Sequence, residues 1–260
     1  MTPLAFSGLI SYFYRNMTNI EILAAAQSGF MGIPMTYIVI LGASILVSWW
    51  VSSKLKSRFQ EHSMAPLPMS GREIAERMLA DNGIRDVRVI STPGQLTDHY
   101  NPADKTVNLS ESVYHERNVA AAAVAAHECG HAVQHAKAYK WLGFRSAMVP
   151  MTNIASNLMS VIMMISIFGM FAMRSPALIW VYVGCLGLVT LFSFVTLPVE
   201  FDASKRALAW MESSGITGSM DQGRARNALF WAAMTYVVAA LSSLAYLVYY
   251  LVQLLGSGDD

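Results

Sequence analysis

The chain has 260 residues, of which 54% are apolar and 13% are charged, and its formal net charge is +1. The charged share is about half of the roughly 25% typical of soluble proteins, and the mean hydropathy is +0.40. This composition excludes an ordinary soluble domain and indicates a membrane protein. The near-zero net charge gives no basic surface for nucleic acid, and Cys129 and Cys185 are too far apart in sequence to form a C-x-x-C site.

The first 53 residues contain one predicted membrane span. Residues 1–32 lack the basic start of a signal peptide, so we expect them to be retained as an interfacial helix. Residues 33–51 are uncharged and can cross a bilayer, since a helix rises about 1.5 Å per residue. Trp49 and Trp50 mark one interface, and a basic flank follows at once.

Residues 54–145 have a soluble character and are predicted to form a small cytoplasmic α+β catalytic unit. Ser70 and Glu73 form a capping box that starts a helix, and the pair Asn82-Gly83 ends it. The pattern then predicts a short strand at 87–90, a hairpin at 99–109 and a short helix at 110–114.

An alanine-rich stretch at 120–135 predicts a helix, with Asn118 as its N-cap, and carries H-E-x-x-H in its middle. His127 and His131 share one helix face, where both imidazoles can bind one Zn²⁺ at about 2.0–2.1 Å. Glu128 lies beside that face and can take a proton from a water that the metal activates. The alternative is a pair of core histidines satisfied by hydrogen bonds, but the motif lies on the helix that zinc hydrolysis requires. The sequence therefore predicts one catalytic zinc ion.

Three further spans are predicted after this helix. Residues 146–199 form a membrane hairpin, because they are uncharged apart from Arg174, at its turn. Residues 200–226 are predicted to form a polar cytoplasmic loop between two spans, with a helical stretch at 207–211 and a Gly/Ser turn after it. Residues 227–260 hold the fourth span and a tail. The predicted fold class is therefore a mainly α, multi-pass membrane protein of about four transmembrane helices with a small zincin-like α+β unit.

The distribution of basic residues predicts the orientation. Residues 52–149 hold 12 Lys and Arg and residues 200–226 hold four, whereas the opposite side holds only Arg15 and Arg174. The positive-inside rule therefore places both termini outside and the H-E-x-x-H segment in the cytoplasm.

The third zinc ligand must come from outside the motif, because a catalytic zinc usually has three protein ligands. His135 lies about 12 Å along the helix axis from His127, too far for one ion to contact both. We expect His135 to contact a ligand or the substrate, or to be a solvated helix end. Glu200 directly follows an apolar span, where a carboxylate is costly without a partner. It either completes a His-His-Glu site or pairs with a neighbouring basic residue.

If Glu200 binds zinc, Asp202 or Ser204 can hydrogen-bond a ligand imidazole and fix its tautomer, and the choice between them is open. A further donor to the oxyanion is also expected. The candidates are His99, Tyr100, Tyr114, Tyr139 and Arg206. For His99 and Tyr100, hairpin packing is an equal alternative, and the hairpin itself could offer an edge strand to an extended substrate.

Four sequence blocks, Asp98–Pro102, Val107–Ser110, Ala125–His135 and Leu197–Ser204, resemble the YugP-type membrane zinc metallopeptidases of bacteria. The resemblance runs from about Lys54 to the last span. It implies a neutral zinc metallopeptidase of the bacterial inner membrane. If Glu200 binds zinc, the ion lies close to the membrane boundary, so the predicted partners are the lipid bilayer and a membrane protein or peptide substrate.

There is a more distant likeness to the HtpX and CAAX-protease peptidases, in which Glu-x-x-x-Asp supplies the third ligand and its hydrogen-bonded Asp. Here Ser204 stands at the Asp position. Two other functions are compatible with the same zinc-binding motif. One is a zinc-binding scaffold or chaperone without catalysis, and the other is a zinc hydrolase of a non-peptide amide.

Overall fold

The computed structural model describes residues 35–168 and 176–256, which form seven helices and one three-stranded sheet. In chain order they are α1 (Met35–Ser63), α2 (Gly71–Asp81), β1 (Arg88–Thr92), β2 (His99–Asn101), β3 (Thr106–Ser110), α3 (Glu111–His115), α4 (Val119–Ala136), α5 (Lys140–Phe168), α6 (Pro176–Ser213) and α7 (Ser219–Gly256). The mainly helical class is as predicted. The interfacial helix predicted for residues 1–32 and the turn at Arg174 lie outside the described residues.

Four of these helices are long and apolar enough to cross a membrane. The candidate spans are Met35–Ser63, Lys140–Ile165, Ala177–Ser213 and Ser219–Leu255. Their number agrees with the sequence prediction, and each span extends past at least one end of the uncharged stretch that predicted it. The orientation relative to the membrane stays a prediction.

Residues 200–226, predicted as a cytoplasmic loop with a helical stretch at 207–211 and a turn, are helical over most of their length. Helix α6 continues through Glu200 to Ser213, and α7 begins at Ser219. Pro198 lies inside α6, where it removes one backbone N–H. The stretch that follows it contains several residues that favour a helix, among them Ala, Lys, Arg and Leu. Glu200 is therefore on a helix rather than in a loop.

The described residues divide into two compact units. The first contains Trp50–Gly143 and Leu197–Thr235, and so holds the sheet and α4. The second is made from parts of the four long helices, and four tyrosines are buried in it, namely Tyr37, Tyr182, Tyr246 and Tyr250.

The sheet of the first unit has the strand order β1-β3-β2. The predicted hairpin is confirmed: β2 pairs antiparallel with β3, with His99 opposite Asn108. Strand β1 pairs with β3 in parallel, which was not predicted, and β3 is buried along its whole length between its two neighbours. The sheet therefore presents β2 as one of its edges.

The predicted starts of α2 and of the motif helix α4 are confirmed. Ser70 and Glu73 make both hydrogen bonds of the capping box at the start of α2. The Asn118 side chain accepts a hydrogen bond of 2.8 Å from Ala121 N and caps α4. The alanine-rich part of α4 is buried, because small side chains allow close packing against neighbouring elements. Cys129 is a free, buried thiol on this helix.

Candidate metal centre

Three side chains from two helices converge in the first unit. His127 and His131 come from α4 and Glu200 comes from α6, and one ligand atom of each lies within 4.8 Å of the other two. The Nε2 atoms of His127 and His131 are 3.3 Å and 3.7 Å from Glu200 Oε2. Within residues 35–168 and 176–256, this is the one group of three such side chains that could hold a metal ion.

The spacing of these atoms fits zinc. Two ligand atoms at about 2.0–2.1 Å from a tetrahedral ion are about 3.3–3.4 Å apart, close to the separations from Glu200. The donor set of two imidazoles and one carboxylate is also that of catalytic zinc sites that keep a position open for water. The Glu200 side chain is only 3% exposed, and two imidazoles beside a buried carboxylate suit a shared cation.

Gly130 allows the two ligand-bearing helices to approach each other closely. A Cβ added to Gly130 would lie 2.6 Å from the carbonyl oxygen of Ala203, a distance that Cβ atoms essentially never show. The residue follows the middle of the H-E-x-x-H motif, and Ala203 is less than one turn after Glu200. The glycine therefore permits the interhelical contact that brings the ligands of α4 and α6 together.

The other ring nitrogens of the two histidines are held by polar side chains. His127 Nδ1 is 3.1 Å from Ser204 Oγ, and His131 Nδ1 is 3.0 Å from Gln134 Oε1. Asp202 reaches the pair only through Gln134, whose Nε2 donates to Asp202 Oδ2 at 2.8 Å. Of the two residues predicted for this task, Ser204 therefore contacts an imidazole directly and Asp202 does not. The contact of Gln134 was not predicted, although its i+3 spacing from His131 on one helix indicates that the two side chains can meet.

The carboxylate of Glu128 is buried and held by a backbone group. Its Oε2 accepts a hydrogen bond of 3.0 Å from the Tyr100 N–H. Burial raises the pKa of Glu128 to about 7, an effect that His127 opposes and that the nearby Asp98 and Glu200 carboxylates reinforce. A carboxylate with a pKa near neutrality is suited to taking up and releasing a proton.

Asp98 anchors the start of β2, the strand that contacts Glu128. Its Oδ1 accepts hydrogen bonds from the backbone N–H and the hydroxyl of Ser110, at 2.7 Å and 3.0 Å. Burial raises the pKa of Asp98, while the bonds from Ser110 act against that rise. The pair thus ties the start of β2 to the end of β3, and this role was not predicted.

His99, Tyr100 and His135 lie on or next to β2. His99 Nδ1 is 2.7 Å from the Thr97 carbonyl, which can only accept, so Nδ1 carries the proton. The Nδ1–H of His99 is therefore already donated within the protein. The Tyr100 hydroxyl is 2.8 Å from Nδ1 of His135, which is exposed and lies outside the metal group. Burial raises the pKa of Tyr100 to about 12.

The remaining oxyanion candidates have other contacts. Tyr114 lies beneath the Arg72 guanidinium, which is 5.7 Å from the ring centroid. Arg206 binds Asp202 at 2.5 Å and stacks over the Tyr139 ring at 5.6 Å. The role of an oxyanion donor stays a prediction for all five candidates.

Strand β2 is at the sheet edge, but one of its outward backbone N–H groups already donates a hydrogen bond within the protein. It has three residues, and the N–H of the middle one, Tyr100, points to Glu128 rather than to β3. Backbone pairing of this edge with an extended substrate stays a prediction. The Tyr100 N–H would not take part in it, because it is bound to Glu128.

Comparison with known proteins identifies the family. Residues 37–255 match the family described as "Putative neutral zinc metallopeptidase". The chain is also 36% identical over 228 residues to a Bacillus subtilis protein named "Putative membrane protease YugP". The matched region covers 87% of this chain and the whole of that protein. No solved structure matches. The long apolar helices and the His-His-Glu group agree with both descriptions. The chain therefore belongs to the neutral zinc metallopeptidase family, among relatives of a membrane protease.

Proposed function

We propose that this protein is a membrane-embedded zinc endopeptidase that hydrolyses peptide bonds of membrane or membrane-proximal proteins. The observation that carries the proposal is the convergence of His127, His131 and Glu200, with Glu128 held beside them by the Tyr100 N–H. A structural zinc site would be closed by a fourth protein ligand and would have no use for a positioned carboxylate.

In this proposal His127, His131 and Glu200 hold one zinc ion. Zinc bound there would lower the pKa of a water that it coordinates and would polarise the scissile carbonyl. The Tyr100 N–H fixes Glu128 through Oε2, and Oε1 takes the proton from the attacking water. Glu128 then gives this proton to the nitrogen of the leaving amine as the peptide bond breaks.

The proposed substrate class follows from the sequence around Glu200. Residues 175–199 carry no charged side chain, and Glu200 is the next residue on the same helix. A ligand in this position favours cleavage close to a membrane boundary. The excess of basic residues in 52–149 and 200–226 favours the cytoplasmic side.

The experiment compares cells that carry the wild type, Glu128→Gln or, as a control, Glu111→Gln, which changes an exposed carboxylate of α3. New protein N-termini in the membrane fraction are measured by mass spectrometry. The proposal expects a set of membrane-protein fragments with the wild type and the control that disappears with Glu128→Gln. Identical fragment sets for all three would overturn it and favour a non-catalytic role.

The cytoplasmic orientation is tested with Glu111→Cys in a chain that also carries Cys185→Ser. The remaining native thiol, Cys129, is buried. We expect a membrane-impermeant thiol reagent to label this variant only after the cells are opened. Labelling in intact cells would contradict the orientation and leave the catalytic proposal to the previous experiment.

A further inference from the structure

Gln134 has a fully buried side chain between the two helices that carry the candidate zinc ligands, with 0% of its surface exposed. Both ends of its amide have partners. The oxygen Oε1 is 3.0 Å from His131 Nδ1. The nitrogen Nε2 donates to the Val199 carbonyl oxygen and to Asp202 Oδ2, both at 2.8 Å. A buried amide with all these contacts is a rigid connection between α4 and α6.

The partners of Nε2 determine which way the amide faces. A carbonyl oxygen and a carboxylate can only accept hydrogen bonds, so the –NH₂ end must point to Val199 and Asp202. The oxygen end is then directed at His131, and Nδ1 of that ring must carry the proton. This leaves the lone pair of His131 on Nε2, the atom that is 3.7 Å from Glu200 Oε2. The amide therefore fixes the tautomer that can bind a metal.

Ser204 does not have this effect on His127. A hydroxyl can donate or accept, so its contact of 3.1 Å with His127 Nδ1 is compatible with either tautomer. The two histidines are thus held by groups of different character, one that fixes the protonation pattern and one that adapts to it.

Gln134 also couples two ligands in space. Its Nε2 contacts the carbonyl of Val199, the residue that precedes Glu200, while its Oε1 contacts His131. Asp202 is itself fixed by Arg206, whose Nε donates to Oδ2 at 2.5 Å. A single side chain therefore connects the imidazole of one candidate ligand to the backbone that carries another.

We propose that Gln134 is the positioning residue of the zinc site, which selects the Nε2-binding tautomer of His131 and sets its distance from Glu200. The inference rests on the proposed function, because it assumes that these residues hold zinc. It assigns Asp202 and Arg206 an indirect role, in which they keep the Gln134 amide in its working orientation.

The test is the zinc affinity of the full-length protein in detergent, measured by competition with a chelator of known affinity. Gln134→Met keeps the volume of the side chain but removes all three hydrogen bonds, and it is expected to weaken zinc binding about 10–100-fold. Ser204→Ala is the matched control, since it removes the contact of the other imidazole, and its loss should be smaller. Equal affinity of Gln134→Met and the wild type would overturn the inference.

A double substitution at Gln134 and Asp202 distinguishes a positioning role of Gln134 from a role in packing alone. Gln134→Glu still offers an oxygen to His131 but turns a second oxygen toward Asp202 and Val199, so zinc affinity should fall. Adding Asp202→Asn gives that oxygen an N–H partner and should recover part of the affinity. If Gln134 only filled space, the second substitution would recover nothing. The unfolding temperature of the metal-free proteins serves as the second readout, because a packing defect lowers it without this rescue.

The same titration separates the inference from the proposed function. A wild-type protein that binds no zinc would overturn both. A wild type that binds one zinc ion tightly, together with a Gln134→Met variant that binds it equally well, would overturn the inference alone.

Discussion

The Cα of Gly130 faces the backbone of Ala203 so closely that an added Cβ would lie 2.6 Å from the Ala203 carbonyl oxygen. Because that neighbour is helix backbone, it cannot move aside as a flexible side chain would. We expect Gly130→Ala to push α4 and α6 apart, lowering the free energy of unfolding by about 1–3 kcal/mol and weakening zinc binding. Chemical denaturation and zinc titration measure the two effects.

The control for this prediction is Gly223→Ala, at an exposed helical position of α7 where an added Cβ meets nothing within 4 Å. Alanine favours a helix, so this variant should be as stable as the wild type or more stable by about 0.5–1 kcal/mol. If Gly130→Ala behaves like Gly223→Ala, the close contact does not determine the geometry of the site.

Removing the carboxylate of Glu200 should cost the metal. We expect Glu200→Ala to lose zinc during purification, because two imidazoles alone leave the ion without its one anionic protein ligand. Zinc content is measured by elemental analysis, with Asp221→Ala as a control on α7. A Glu200→Ala protein that keeps one zinc ion would refute the assignment of this ligand.

Glu128 should make the metal-free protein less stable as the pH rises. Burial raises its folded-state pKa to about 7 from an ordinary 4.5, so the folded state holds a proton that the unfolded chain releases earlier. Its contribution to stability is therefore present below pH 4.5 and is lost as the pH rises to 7. Glu128→Gln should remove this loss, a gain of at most about 3 kcal/mol above pH 7.

Unfolding temperatures of the zinc-free proteins at pH 5 and pH 8 test this dependence. The difference between Glu128→Gln and the wild type should be larger at pH 8. Glu111→Gln, at an exposed site, should show no such difference. A Glu128→Gln effect that is equal at both pH values would mean that the carboxylate is not desolvated.

Asp98 should matter for catalysis through the position of β2. Asp98→Ala leaves the buried Ser110 N–H and hydroxyl without their acceptor, which costs about 1–3 kcal/mol of stability. It should also displace the Tyr100 N–H from Glu128 and lower kcat while zinc content stays unchanged. A variant with wild-type kcat would show that β2 holds Glu128 without this anchor.

Local features of the sequence predicted local features of the fold well. The capping box at Ser70, the N-cap at Asn118 and the hairpin at 99–109 depend on contacts within a few residues, and all three are present. Glu200 also lies beside the two histidines, which is the arrangement that the predicted His-His-Glu site requires, and its binding of zinc stays a prediction.

The features that were missed depend on contacts distant in sequence. The parallel pairing of β1 with β3 has no turn signal, and the contact between Gly130 and Ala203 joins residues more than seventy positions apart. The contact of Gln134 with the Val199 carbonyl was not predicted, because it forms only when α6 lies beside α4. The helical stretch predicted at 207–211 begins earlier than expected, because α6 continues without a break past Pro198.

The central claim is that Glu128 transfers protons next to the zinc ion and is not one of its ligands. The most direct test measures zinc content and cleavage of a fluorescently labelled, unstructured protein in the same purified samples of wild type and Glu128→Gln. We predict about one zinc ion per chain in both, with cleavage by the variant reduced about 10²–10⁴-fold. A zinc-loaded Glu128→Gln protein that cleaves at the wild-type rate would contradict the account.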